Sequence, residues 1–210
     1  MNRVNVKLLE ASPLWLIDEA IGKCWNKPAK SVEHSIERMN RVVNKNQHKS
    51  TSEHVSYTWD VDGISRACLQ EISRHRHQSL SVRSSRYTLG SLAKEPVFEG
   101  KHYSKASKHI YMTGDVRVDN RSIAALNALQ EAIKMGISND ITKYCMPECM
   151  RTSLVLTMNM RSLQHFLDLR TNKAALKEIR NLAHMLFNTI PEDHKFMFTD
   201  YVHPEVSDVS

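Results

Sequence analysis

HVSYTWDV, residues 54–61, alternates Val55, Tyr57, Trp59 and Val61 with His54, Ser56, Thr58 and Asp60. A period of two places the apolar set on one face of a β-strand and the polar set on the other. Rings as large as Tyr57 and Trp59 need a core behind that face, so the strand belongs to a sheet that something covers. Gly63 is expected to break it, after which Ile64, Ala67, Cys68 and Ile72 return at helical spacing and run into Arg74. Upstream, Ser31 is a candidate N-cap for a helix through Val32, Ile36, Met39 and Val43. Before it, 13–24 reads as a helix and 4–9 as a short first strand. Downstream, 79–114 has little periodicity and reads as loops and short segments. Residues 120–135 form an amphipathic helix through Ile123, Leu126, Leu129 and Ile133, closed by Gly136. Residues 151–158 suit a strand, and 160–170 and 174–190 suit two helices, with Pro191 after the second. Helices predominate over three to five strands. The fold class is therefore α+β: an antiparallel or mixed sheet covered by helices, in a single domain spanning 1–210.

Composition agrees with a packed domain. The 210 residues are 41% hydrophobic and 25% charged, enough apolar mass for a core and too much for a disordered tail. No apolar run approaches the roughly 20 residues of a membrane span. The N-terminus has no secretion-signal pattern, so a cytoplasmic protein is expected. Four cysteines make no disulfide framework. Cys145 and Cys149, either side of Pro147, read as core residues. The 29 basic against 23 acidic side chains leave a net charge of +6. Such an excess suits an anionic partner or simply a basic surface.

Local distribution favours a partner. Between Arg66 and Arg86 lie five arginines, two histidines and one acid, Glu71, with five serines interleaved. Guanidinium groups grip phosphates bidentately, and hydroxyls add neutral donors. Like charges crowded this way repel one another, and a bound polyanion removes that cost. No GxGxxG, GxxxxGK[ST], HExxH or GxSxG pattern occurs, and no His/Cys set has zinc spacing. A phosphate or cofactor must then be held by side chains from several segments, with no metal. A nucleic-acid module using the same arginines is the competing class. Its weakness is the lack of interleaved aromatic residues.

Three segments carry a more specific pattern. RHRHQSLSVRSSRY, residues 74–87, resembles the signature of the flavin-dependent thymidylate synthases: an RHR triplet, a serine after seven further residues, then Arg-Tyr. His48-x-Ser50-x-x-Glu53-His54 ahead of the VSYTW strand is similar to the family's HxSxxEH entry. Asn159-x-Arg161-Ser162-Leu163-x-His165-Phe166-Leu167-x-x-Arg170 resembles its NxRSLxHFLxxR segment, with Glu178-Ile179-Arg180 following. The resemblance spans about 45–190.

It implies an α+β homotetramer with active sites built from several subunits. The implied reaction is dUMP to dTMP. Methylenetetrahydrofolate gives the carbon, reduced FAD the hydride, and NADPH replenishes the flavin. Ser50, Arg74, His75, Arg76, Asn159, Arg161 and His165 would bind FAD. Glu71, Arg74, Ser84, Ser85, Arg86, Lys143 and Arg170 would bind dUMP, Arg86 reaching in from a neighbouring subunit. Arg170 would be catalytic: a guanidinium beside N3 stabilises an anionic uracil and drives electron density toward C5, with no cysteine thiolate needed. Ser84 has no base beside it in the pattern and is assigned to binding. His48 or His54 would pack near flavin or folate, or serve as a strand-entry histidine. Tyr87 would contact folate or pack.

The sequence departs from the family pattern at Val82, Arg83, Lys143 and Ala174. Lysine keeps a charge without the bidentate fork. A dUMP hydroxymethylase on the same scaffold, or a homologue that binds nucleotide without turnover, stays open at this point.

Overall fold

The structure, a computed structural model, describes residues 4–28 and 30–205. In chain order the elements are β1 (Asn5–Ala11), α1 (Trp15–Trp25), α2 (Val32–Met39), β2 (Ser56–Ser65), α3 (Arg66–Ser73), β3 (Gln78–Val82), α4 (Ser85–Thr88), α5 (Val116–Lys134), α6 (Asn139–Thr142), β4 (Arg151–Asn159), α7 (Met160–Arg170) and α8 (Lys177–Asn188). Short 3-10 and π turns fill the gaps. The strands form one sheet in the order β1-β2-β4-β3. Thr58 hydroxyl meets Thr157 hydroxyl at 3.0 Å, and Asp62 accepts from Ser153. The partner number falls as the strand number rises, so β2 and β4 run antiparallel. The expected α+β class holds.

Differences from the sequence reading have local causes. Gly63 does not end its strand. β2 runs through it with Gly63 at φ 85°, a conformation that glycine adopts without Cβ strain. The helix started by Ser31 is capped as expected, the Ser31 hydroxyl accepting from His34 N–H at 3.2 Å. Past Met39 it continues as a π-helical turn, Asn40–Lys45, that buries Val42 and Val43. β3 covers the first residues of the stretch read as loops, beginning one residue before it. The helix expected from 120 begins at Val116, where Asp115 accepts from Arg117 N–H. The one expected from 174 begins at Lys177, because the Asn172 carboxamide caps Ala174 N–H in a turn.

The chain divides into two compact units. One comprises Val6–Asp60, Ile72–Leu80 and 155–205. Its core stacks Tyr57 on Trp59, ring centroids 5.8 Å apart, with Phe198 edge-on to Tyr57 at 5.7 Å. Tyr57 donates to or accepts from His194 Nδ1 at 2.9 Å, and Trp59 Nε1–H donates to the Thr189 hydroxyl at 2.8 Å, so both polar tips are satisfied. Buried Arg38 spans α2 and α1 by donating to the Asp18 carboxylate at 2.8 Å and to the Asp18 carbonyl at 3.2 Å. A buried pair needs such extra bonds to offset its desolvation.

The other unit is centred on Val61–Glu71 and Ser81–Leu154. Ile123, Leu126 and Leu129 of α5 bury against Leu89, Leu92 and Phe98. Gln130, itself buried, donates to the carbonyls of Leu92 and Glu95 and pins that irregular segment to α5. Cys145 is exposed, not a core residue, because it sits in a 3-10 turn at Lys143–Cys145. Cys149 is half-buried, and burial pushes its thiol pKa up.

Candidate functional site

α7 organises the site. Asn159 is its N-cap, its carboxamide oxygen accepting from Ser162 N–H at 2.9 Å. Leu163, Phe166 and Leu167 turn into the core. Helical spacing then carries Ser162, His165 and Leu169 to the opposite side, where they line a cavity of about 840 Å³. Its far wall is the Arg74–His77 turn that follows α3. That turn is held by His75 N–H on the Ile72 carbonyl at 3.0 Å and by the Gln78 side chain on the same carbonyl at 2.6 Å.

Arg170 Nε–H donates to His75 Nε2 at 2.9 Å. His75 therefore carries no proton on that nitrogen, since a guanidinium only donates. The His75 ring packs on Phe166 at 4.9 Å and meets His165 edge-on at 6.0 Å. Arg74, His75, Arg76, His165 and Arg170, five of the expected site residues, thus share one cavity. Asn159 and Arg161 line a second cavity of about 600 Å³, which shares His77, Ser162 and His165 with the first. Arg161 donates to Glu53, which also lines it, at 2.6 Å. Ser50 lies elsewhere, on a third, mostly apolar cavity with Leu16, Cys24 and His54.

The remaining expected residues belong to the other unit. Glu71 is on α3. Ser84 precedes α4 without a side-chain capping bond, and its carbonyl accepts from the Thr88 hydroxyl at 3.0 Å. Ser85 and Arg86 follow. Arg86 grips Asp140 bidentately, at 2.5 and 3.1 Å, on the surface, and Asn139 donates to the Arg86 carbonyl at 2.6 Å. Lys143 is exposed just after α6. Tyr87 and Tyr144 are each 85% exposed, so Tyr87 does not pack within its own chain.

Sequence reasoning missed His203 and Asp168, which line the main cavity with Arg170. His203 lies beyond the last motif. Asp168 occupies a variable position inside one.

The pattern of the family described as Thymidylate synthase complementing protein matches residues 8–194. The chain belongs to that family. It is 46% identical over 206 residues to the flavin-dependent thymidylate synthase of Campylobacter jejuni (strain RM1221), covering 97% of this chain and 100% of that one. Identity to the flavin-dependent thymidylate synthase of Wolinella succinogenes is 44% over 198 residues, covering 93% and 97%. Among solved structures of the family, thymidylate synthase X from Helicobacter pylori with FAD and dUMP superposes with a TM-score of 0.90 at 36% identity. That match covers 96% of this chain and all of the other. The family's RHR and NxRSLxHFLxxR segments are here the two walls of one cavity.

Proposed function

We propose that this protein is a flavin-dependent thymidylate synthase, a methyltransferase of nucleotide biosynthesis that converts dUMP to dTMP. The observation that carries the reading is the cavity in which Arg170, held on His75, faces a wall of Arg74, Arg76 and His165. This donor set fits FAD. Imidazole rings offer flat faces to an aromatic ring system, and guanidiniums offer paired donors to phosphates. Arg74, His75, Arg76 and His165 hold the flavin, with Asn159 and Arg161 on the adjoining cavity. Bound FAD supplies the hydride, drawn from NADPH, while methylenetetrahydrofolate supplies the carbon.

Arg170 acts on the substrate. Its charge stabilises an anionic pyrimidine ring and raises electron density at C5, the carbon that takes up the new group. Arg74 orients the same ring. Glu71, Ser84, Ser85, Arg86 and Lys143 hold the rest of dUMP. Arg86 is presented from a neighbouring copy of the chain in a homotetramer with shared active sites. Its exposure beside Asp140 and Tyr87 supports that arrangement. The boundaries of the two compact units fall inside β2, β3 and β4, which supports their working as one domain. Among the described residues no helix is long and apolar enough to cross a membrane, and we place the enzyme in the cytoplasm. Nucleic acid is not among its partners on this reading.

The test is incubation with dUMP, methylenetetrahydrofolate, FAD and NADPH, followed by product identification by mass. dTMP supports the reading. A hydroxymethylated product would replace it with the related hydroxymethylase, and unchanged dUMP would leave a binding protein.

A further inference from the structure

The main cavity takes part of its wall from the turn between α7 and α8. Asn172, Ala174 and Ala175 line it together with His75 and Arg170. Among the described residues of 172–176 none is buried, and Leu176, the large apolar one, is 50% exposed. Apolar packing does not hold this turn, so polar contacts must. Two of them are local. The Asn172 carboxamide oxygen accepts from Ala174 N–H at 3.0 Å, and the Asn172 carbonyl accepts from Ala175 N–H at 2.9 Å.

The tie to α8 comes from Arg180. It stands in the first turn of that helix and is only 7% exposed. Its Nη1–H group donates to the Lys173 carbonyl at 3.1 Å and to the Ala175 carbonyl at 3.5 Å. Its backbone N–H donates to the Leu176 carbonyl at 3.0 Å as the helix begins. One buried guanidinium thus fixes the peptide planes that flank Ala174 and Ala175, and a charged donor makes such bonds stronger than a neutral one does.

We infer that Arg180 is a positioning residue of the main cavity: through the Lys173 and Ala175 carbonyls it holds the 172–175 turn in the conformation that the cavity presents to its ligand. The inference rests on the flavin and pyrimidine reading of that cavity. A turn released from the guanidinium samples other conformations, and a bound ligand must reorder it. Reordering even one residue of backbone costs roughly tenfold in affinity.

The experiment uses the full chain. It measures FAD affinity by quenching of flavin fluorescence, KM for dUMP, and hydrogen exchange of the 171–177 peptide. Arg180→Met fills a similar space without a donor. It should speed exchange of that peptide in the unliganded protein, and FAD with dUMP should slow it again. Well below the melting temperature, FAD affinity should fall or the KM should rise by roughly tenfold. A loss of FAD affinity assigns the turn to the flavin, and a raised KM alone assigns it to the pyrimidine. Arg180→Lys, whose charge can reach one carbonyl but not both, should lie between, and it carries the test if Arg180→Met does not fold. A merely structural Arg180 gives a lower melting temperature with unchanged FAD affinity and KM in the folded variant. That outcome overturns the inference, as does peptide exchange that neither substitution alters. Failure of the unaltered protein to bind FAD at all would instead overturn the flavin reading, and this inference with it.

Discussion

Two arginines of this chain, one in each compact unit, are oriented by different kinds of acceptor. Arg170 donates to the neutral nitrogen of His75 inside a cavity. Arg86 donates through two nitrogens to the Asp140 carboxylate on the surface, where both side chains are more than half exposed. A neutral acceptor orients a guanidinium and leaves its charge intact. A carboxylate orients it and cancels that charge. Arg86 must therefore exchange Asp140 for a ligand phosphate, whereas Arg170 can keep its bond to His75. The RHRHQSLSVRSSRY stretch feeds both settings: its first half lines the cavity, and its second half reaches the exposed α4. Adjacency in sequence thus says little about sharing a wall.

The largest effect should come from the arginine inside the cavity. Arg170→Ala should cut dTMP formation by on the order of 10²–10³, the usual cost of removing one electrostatic stabiliser. Flavin retention should persist, and steady-state turnover with a flavin absorbance spectrum checks both. Turnover like the unaltered protein's would remove Arg170 from the mechanism. Next comes Arg86→Ala, which should raise KM for dUMP about tenfold by losing a bidentate phosphate contact. The melting temperature should barely move, because an exposed pair contributes about 0–1 kcal/mol. Asp140→Asn sharpens the contrast: it frees Arg86 and should lower the same KM a few-fold. A raised KM would mean that Asp140 orients Arg86 rather than competing for it. The smallest effect is the one read on stability. Asn159→Ala removes the α7 cap and should cost about 1 kcal/mol in urea unfolding.

Acid stability compares the units differently. Burial holds His109 in one unit, and His184 and His194 in the other, below the ordinary histidine value of 6.5. Glu95 opposes this at His109, as does Asp193 at His194. Unfolding lets each imidazole take up a proton more readily. The stability they contribute is thus complete above 6.5 and falls away as pH drops through the window between 6.5 and the lowered folded values. Urea melts across that window should show the loss, and His109→Gln should flatten it. A pH-independent midpoint would contradict the burial argument.

Much of this could be read in advance. β2 was legible because Val55, Tyr57, Trp59 and Val61 alternate without interruption, and all four are fully buried. α7 was legible because its cap, core stripe and motif coincide over Asn159–Arg170. β3 was not. Five residues on a sheet edge, largely exposed, have no apolar period to display. The cavity's two motif walls could be anticipated from residue types, although their juxtaposition could not. The contact of His203 with Asp168 joins residues 35 apart through a tail segment without periodicity, and only tertiary packing creates it. The placement of Ser50 on a separate cavity is likewise a product of how the Lys49–His54 turn packs on α1.

The most direct measurement is the flavin absorbance spectrum of the protein titrated with dUMP, for the unaltered chain and for Arg74→Ala/His165→Ala. The account predicts that the unaltered chain binds FAD, that dUMP perturbs its flavin bands, and that the double variant loses the flavin. Full retention of FAD by the double variant, with the same response to dUMP, would contradict it.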